Sequence, residues 1–189
     1  MTIAIESRRK KLASVEKLWP GAAIIDVTSK GVEPWVRFSP FYPHGGIPTP
    51  HMPAESAQSV EGLWQGLKVF EREDIDPGKW AITHMSGIKR GGQRRGAVRG
   101  HRFGVGSDVL LGYREARFLI YLPAYKWVLE HRLAAQVEEL RRQLADKPLV
   151  LLDYETNADP EDLSSPLSHA ALVKYHLEGS WPSPREAKA

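Results

Sequence analysis

The 189-residue chain contains no cysteine. That excludes disulfides, thiolate zinc sites, iron–sulfur clusters and cysteine nucleophiles together. It suits a reducing compartment, so a cytoplasmic location is expected. Nothing in the sequence approaches the ~20 consecutive apolar residues of a membrane span, and no membrane partner is expected. Near the start, only Ile3-Ala4-Ile5 is apolar before Glu6 and the cations Arg8-Arg9-Lys10-Lys11. A signal peptide needs a longer apolar stretch placed after its positive residues, so none is expected. Neither H-x-x-x-H nor H-E-x-x-H spacing occurs among the seven histidines, which leaves a histidine metal site without support. Asp74 and Asp76 lack the later glutamate of a calcium loop. Phosphate-binding G-x-x-x-x-G-K-[ST] and dinucleotide-binding G-x-G-x-x-G motifs are missing too. No metal and no cofactor are expected.

What is present fits an ordinary globular chain. Apolar residues make up 42% and charged residues 26%, enough to build a core without a covalent staple. The length fits one domain, placed over residues 1–180, with 181–189 as a frayed tail. Net charge is only +3, but its distribution is uneven. Residues 89–102 hold Lys89, Arg90, Arg94, Arg95, Arg99 and Arg102 with no acidic residue. Such asymmetry points to an anionic ligand at one place.

Periodicity predicts a short helix over 7–18, a strand over 22–28 and a second strand over 35–39. Residues 39–57 carry Pro40, Pro43, Pro48, Pro50 and Pro53 with Gly45-Gly46, His44 and His51. They read as a long ordered functional loop, given Phe41 and Tyr42 beside the prolines. A helix follows over 59–70 with Ser59 as its N-cap. A short helix is expected over 81–88 and a basic, glycine-rich loop over 89–106. Helix and strand both stay open for 116–121. A long helix from Pro123 to Leu144 carries the stripe Val128, Leu129, Leu133, Val137, Leu140 and Leu144. Leu149–Leu152 reads as a buried strand, and 168–178 as a last helix ended by Gly179.

The helix over 59–70 stands out. At ~100° per residue, Val60, Leu63, Leu67 and Phe70 share a core face. Glu61, Trp64, Gln65 and Lys68 form a second, polar stripe at i, i+3, i+4, i+7 spacing. Gly62 and Gly66 occupy the remaining side. Each helix-interior glycine costs about 1 kcal/mol relative to alanine. Two at this spacing predict a backbone or a ligand passing close by. A helix covered on two sides would turn its polar stripe into a pocket wall; otherwise Glu61 and Lys68 simply face water.

At these residues the sequence resembles the NADAR (YbiA-like) family. The resemblance rests on Phe38-Ser39-Pro40-Phe41-Tyr42-Pro43, then Ser59-Val60-Glu61 and Gln65-Gly66-Leu67-Lys68-Val69-Phe70. Gly62 stands where the family carries histidine, and the family's late Trp-Gly element has no counterpart, so the chain resembles a divergent member. The resemblance implies an α+β fold that is mostly α-helical with a small amount of sheet. It implies an N-glycosidase-like hydrolase that cleaves a base from a phosphorylated ribose or ADP-ribose. Glu61 would be the catalytic carboxylate, with Gln65 and Lys68 in the pocket.

The residue types suit such chemistry. Cleaving an N-glycosidic bond builds positive charge on the sugar and needs a carboxylate to stabilise it and to activate water. Lys68 would fix a phosphate or ribose hydroxyl, or pair with Glu61. Phe41, Tyr42 and Trp64 can stack on a base. Arg90, Arg94, Arg95, Arg99 and Arg102 are candidates for phosphate, although at most two or three reach one ligand. Asp153, Glu155 and Asn157 follow a strand, where α/β enzymes often place functional groups. His101 and His169 are candidate proton donors, or structural histidines. The alternative partner is nucleic acid, bound through residues 89–102. A third reading is a non-catalytic module that binds a nucleotide or ADP-ribose.

Overall fold

The computed structural model describes residues 2–50 and 52–185. The first elements in the chain are β1 (Ile3–Ser7), α1 (Leu12–Leu18), β2 (Ala23–Asp26) and a 3-10 turn at Trp35–Phe38. Next come β3 (Ile47–Thr49), β4 (Met52–Ala57), α2 (Val60–Leu67), β5 (Lys68–Phe70) and 3-10 turns at Pro77–Ala81 and Gln93–Arg95. These lead to β6 (Val98–Arg102), β7 (Leu110–Leu111), α3 (Tyr113–Ala116), a π-helical turn at Arg117–Tyr121, and α4 (Leu122–His131). The chain closes with α5 (Ala134–Asp146), β8 (Leu149–Asp153) and α6 (His169–Leu177). It divides into two units, Met1–Ser39 with Leu129–Ala189, and Pro40–Val128.

In the first unit the uninterrupted apolar run of β8 is buried at every position. That is the signature of a central parallel strand. It pairs in parallel with β1 on one side and β2 on the other, Ile3 and Ala23 both lying opposite Leu149. Val15 of α1 packs with Val150 and Leu152, and Trp19 and Ile24 close over them. The buried residues Val137, Leu140 and Leu144 give α5 its apolar face. Ser168 caps α6 through the amide of Ala171.

The second unit is built on short antiparallel pairs. β3 pairs with β4, and β5, β6 and β7 form a sheet with β6 in the middle. Lys68 lies opposite His101, and His101 lies opposite Leu111. Gly100 adopts φ +154, and a Cβ there would meet the Leu111 carbonyl oxygen at 2.4 Å. Only glycine lets β7 approach at that point.

The expected mostly α-helical fold is corrected. The chain is α+β with 38% helix and 18% strand, its strands spread over three small sheets. Strands β1 and β6 escape a sequence reading because Ile-Ala-Ile-Glu-Ser and Val-Arg-Gly-His-Arg show weak alternation. Pairing with β8 and β5 decides them instead. Residues 68–70, expected to finish a helix, become β5 for the same reason. Among smaller differences, Trp35–Phe38 is a 3-10 turn rather than a strand, and α1 begins only at Leu12. The long helix expected over 123–144 breaks between His131 and Ala134. The proline-rich stretch contains the β3–β4 pair; its His51 lies outside the described residues. So do 186–189 of the expected tail, while Arg185 pairs with Asp159.

Candidate functional site

The site is built from α2 outward. Ser59 Oγ accepts the Gly62 amide at 3.0 Å, which starts the helix as its sequence anticipates. The Glu61 amide donates to the Pro40 carbonyl at 2.8 Å, tying the aromatic segment to the first helical turn. Lys79 and Trp80 fill the glycine side. A Cβ on Gly62 would lie 2.7 Å from the Lys79 carbonyl oxygen, and one on Gly66 2.2 Å from the Trp80 indole nitrogen. The two glycines therefore admit protein, not ligand.

At its other end the helix is stopped by Arg90. The guanidinium is wholly buried. Its Nη1 donates to the carbonyls of Gln65 (3.0 Å) and Lys68 (2.7 Å), groups a helix C-terminus leaves unpaired. Its Nη2 reaches the Glu73 carboxylate and the Asp74 carbonyl. Arg90 thus clips the helix end to the 73–74 turn, and its described hydrogen bonds are internal.

Glu61 is buried on the polar face. Among the described residues its one side-chain hydrogen bond is with Gln65, whose Nε2 donates at 2.8 Å. Gln65 Oε1 in turn accepts the Arg90 amide at 3.0 Å, so the amide orientation is set from both ends. Burial pushes the Glu61 carboxyl up from its ordinary value, opposed by the Gln65 hydrogen bond and by the charges of Lys89 and Lys68. Lys68 is half-buried, with no hydrogen bond or ion pair among the described residues. Burial holds its ammonium below its ordinary value, against the pull of Glu61. Lys89 lies 5.4 Å from the centre of the Phe41 ring.

Beside Lys68 opens a cavity of about 320 Å³ lined by Lys68, Val98, Arg99, Gly100, His101 and Tyr113. That volume lies at the lower end of small-molecule sites. Trp64 connects it to α2. Its ring centre lies 3.7 Å from that of His101, with Tyr113 edge-on at 5.9 Å. Burial depresses His101 to about 3, with Lys68 adding to the effect, so the imidazole is neutral.

Of the predicted site residues, Glu61, Trp64, Gln65 and Lys68 come together, with Arg99 at the cavity. Phe41 is joined to them through Pro40 and Lys89; the Tyr42 ring lies tilted against His44, 4.8 Å between ring centres. The basic segment is largely neutralised within the unit. Arg95 pairs with Glu73, Arg99 with Glu71 and Arg102 with Asp74. Arg94 is exposed and makes no ion pair among the described residues.

Asp153 and Glu155 belong to the other unit. Glu155 pairs with Arg9 at 3.6 Å. Asp153 is buried, accepting Ser168 Oγ at 2.7 Å and facing His169 Nδ1 at 2.9 Å. Asn157 is taken up by its own loop, through Asp159, Asp162 and Ser165. Tyr113 and Val98 were not legible as site residues. A lone tyrosine after Gly112 carries no motif, and Val98 lies in a strand that only pairing reveals.

No helix among the described residues is long and apolar enough to cross a membrane. No curated protein and no solved structure matches the chain. Residues 7–173 match the model of DUF6939, a family of unknown function, and the chain belongs to that family.

Proposed function

We propose that this chain is an N-glycosidase-like hydrolase that releases a base from a phosphorylated ribose or from ADP-ribose, with Glu61 as the catalytic carboxylate. One observation carries the reading: Glu61 is a buried carboxylate held, among the described residues, by a single oriented amide, with Lys68 and Lys89 close enough to act on its charge. A buried acid without a structural ion pair is costly to a fold. Such groups concentrate where a proton or a developing cation must be handled.

In this scheme Glu61 orients and deprotonates a water and stabilises the oxocarbenium-like sugar as the base departs. Gln65 positions the carboxylate through its 2.8 Å hydrogen bond. Lys68 and Arg99, both lining the adjacent cavity, would hold a phosphate. The resemblance to the NADAR (YbiA-like) family at the α2 motif supports the same assignment, and the cytoplasm is the compartment this reading takes. Nucleic-acid binding has less to stand on, because Arg90, Arg95 and Arg102 of the basic segment already pair with Glu73 and Asp74.

The test is free-base release from a panel of ribonucleotides and ADP-ribosylated nucleosides by wild type and Glu61→Gln. The expected result is release by wild type and at least about a hundredfold less by the variant, the scale of a lost general base. Equal release by both would overturn the role of Glu61. Release by neither, with tight binding of the same compounds, would make the protein a binding module.

A further inference from the structure

Phe41, Tyr42 and Trp64 are the rings the sequence offers for stacking on a base, and each is engaged within the fold. Trp64 packs among His101, Tyr113 and Tyr121, with ring centres 3.7, 5.9 and 5.7 Å away. Lys89 lies over Phe41, and Tyr42 lies against His44. Tyr113 differs from all three. It lines the cavity of about 320 Å³ beside Lys68 and is still 42% exposed, as Val98, another lining residue, is 52% exposed.

The Tyr113 ring is fixed from within. Buried Arg117 lies over it, 4.9 Å from the ring centre, and donates from Nη2 to its hydroxyl at 3.3 Å, while Trp64 meets it edge-on. A ring already ordered by protein contacts loses little freedom when a ligand covers what remains of it. The charges define the other half of the site. Lys68 and Arg99 line the same cavity, and among the described residues no acid does. Lys68 has no hydrogen bond or ion pair there, and Arg99 keeps most of its side chain exposed beside Glu71. Two cations next to an exposed flat ring suit an anion that carries a planar apolar group. The small volume suits one sugar, one ring and one phosphate rather than a dinucleotide.

We propose that this cavity takes a ligand of mononucleotide size, its phosphate between Lys68 and Arg99 and its planar base stacked on Tyr113. That the base is a leaving group rests on the N-glycosidase reading; the binding itself does not. Tyr113 acts here on recognition, not on the bond that breaks.

The test compares wild type with Tyr113→Phe, which keeps the flat ring, and Tyr113→Leu, which keeps apolar bulk without it. Calorimetric binding is measured with AMP, GMP, CMP and UMP, with ribose 5-phosphate as the ligand without a base, and with hexyl phosphate as an anion with an aliphatic body. Wild type should bind its preferred nucleotide about tenfold or more tightly than either control, the scale of one stacked base. Tyr113→Phe should stay within about threefold of wild type. Tyr113→Leu should lose about tenfold for the nucleotide, with ribose 5-phosphate affinity unchanged.

Nucleotide affinity in Tyr113→Leu equal to that of wild type would overturn the proposal. So would an equal loss for ribose 5-phosphate, hexyl phosphate binding as tightly as the nucleotide, or no nucleotide binding by wild type. A measurement on wild type alone covers the case in which the leucine variant does not fold. The Val98 methyl resonances should shift on adding the preferred nucleotide, through the ring current of its base, and not on adding ribose 5-phosphate; unmoved methyls would count against a base seated there. The two readings separate cleanly. Tyr113-dependent binding without base release would sink the enzymatic reading alone, whereas base release undiminished in Tyr113→Leu would sink this one alone.

Discussion

Gln65 donates its side-chain amide to the Glu61 carboxylate at 2.8 Å, one turn back along α2, and accepts the Arg90 backbone amide with its other end. The pair fixes both the position of the acid and the orientation of the amide. Its neighbours set the charge. Lys68 and Lys89 lie near enough to favour the ionised form, while burial disfavours it and prevails.

This gives a pH-dependent stability. A carboxyl whose folded value lies above its unfolded one favours the fold in its protonated form. The stabilisation is complete below the ordinary value of 4.5 and is lost as pH rises through the folded value. Glu61→Gln, which keeps an acceptor for Gln65, should therefore be more stable than wild type at pH 7. The gain should shrink towards pH 4. Urea unfolding at the two values checks this, and a gain independent of pH would contradict it.

Arg90 carries a different expectation from the other basic residues. Arg90→Met leaves the carbonyls of Gln65, Lys68 and Asp74 and the Glu73 carboxylate without this partner. A loss of about 3 kcal/mol or more is expected from denaturant curves. Arg94→Ala, at an exposed position, should fall within about 0.5 kcal/mol of wild type. Similar effects for the two variants would show that Arg90 does not act as the clip.

Gly66→Ala sets propensity against packing. Alanine gains about 1 kcal/mol in a helix interior. Its methyl, however, would meet the Trp80 indole nitrogen at 2.2 Å, and neither group is a flexible chain end. Overpacking of this kind costs about 1–3 kcal/mol, so a net loss in melting temperature is expected. A gain would mean that Trp80 moves aside freely.

The first unit has its own titrating pair. His169 Nδ1 faces Asp153 and Nε2 faces the Val27 carbonyl, both acceptors at 2.9 Å, an arrangement only the imidazolium satisfies in full. For His169, burial opposes the charge, but Asp153, the Val27 carbonyl and Asp26 outweigh it and raise the ring above 6.5. For Asp153, burial alone would raise the carboxyl; His169, Ser168 and the Ala170 amide hold it at about 2. The His169 contribution is complete below 6.5 and fades as pH rises through its folded value. The Asp153 contribution is complete above 3.8 and fades as pH falls towards 2. Asp153→Ala should cost about 3–5 kcal/mol near neutrality. Hydrogen exchange of β8 amides from pH 6 to 9 should show wild-type protection falling and the variant profile flatter. Parallel profiles would rule the pair out.

Local cues read well wherever a single segment decided its own structure. The Ser59 cap, the start of α2, the buried run of β8 and the Ser168-led α6 all follow from short patterns of hydrogen-bonding and apolar side chains. The grouping of Glu61, Trp64 and Gln65 on one helical face follows likewise from the 3.6-residue period.

Pairing between distant segments was another matter. β6 is a strand because β5 and β7 flank it, and that pairing sets His101 opposite Lys68 and brings Tyr113 to the cavity. Arg90 looked like a ligand-binding cation and serves as a helix clip, because the carbonyls it satisfies and the Glu73 carboxylate converge on it only in the folded chain. The sequence by itself determined that α2 carries a polar stripe beside a glycine face. What lies against each side was decided by tertiary structure, because the free energy of a buried charge or an unpaired donor depends on partners far away in the chain.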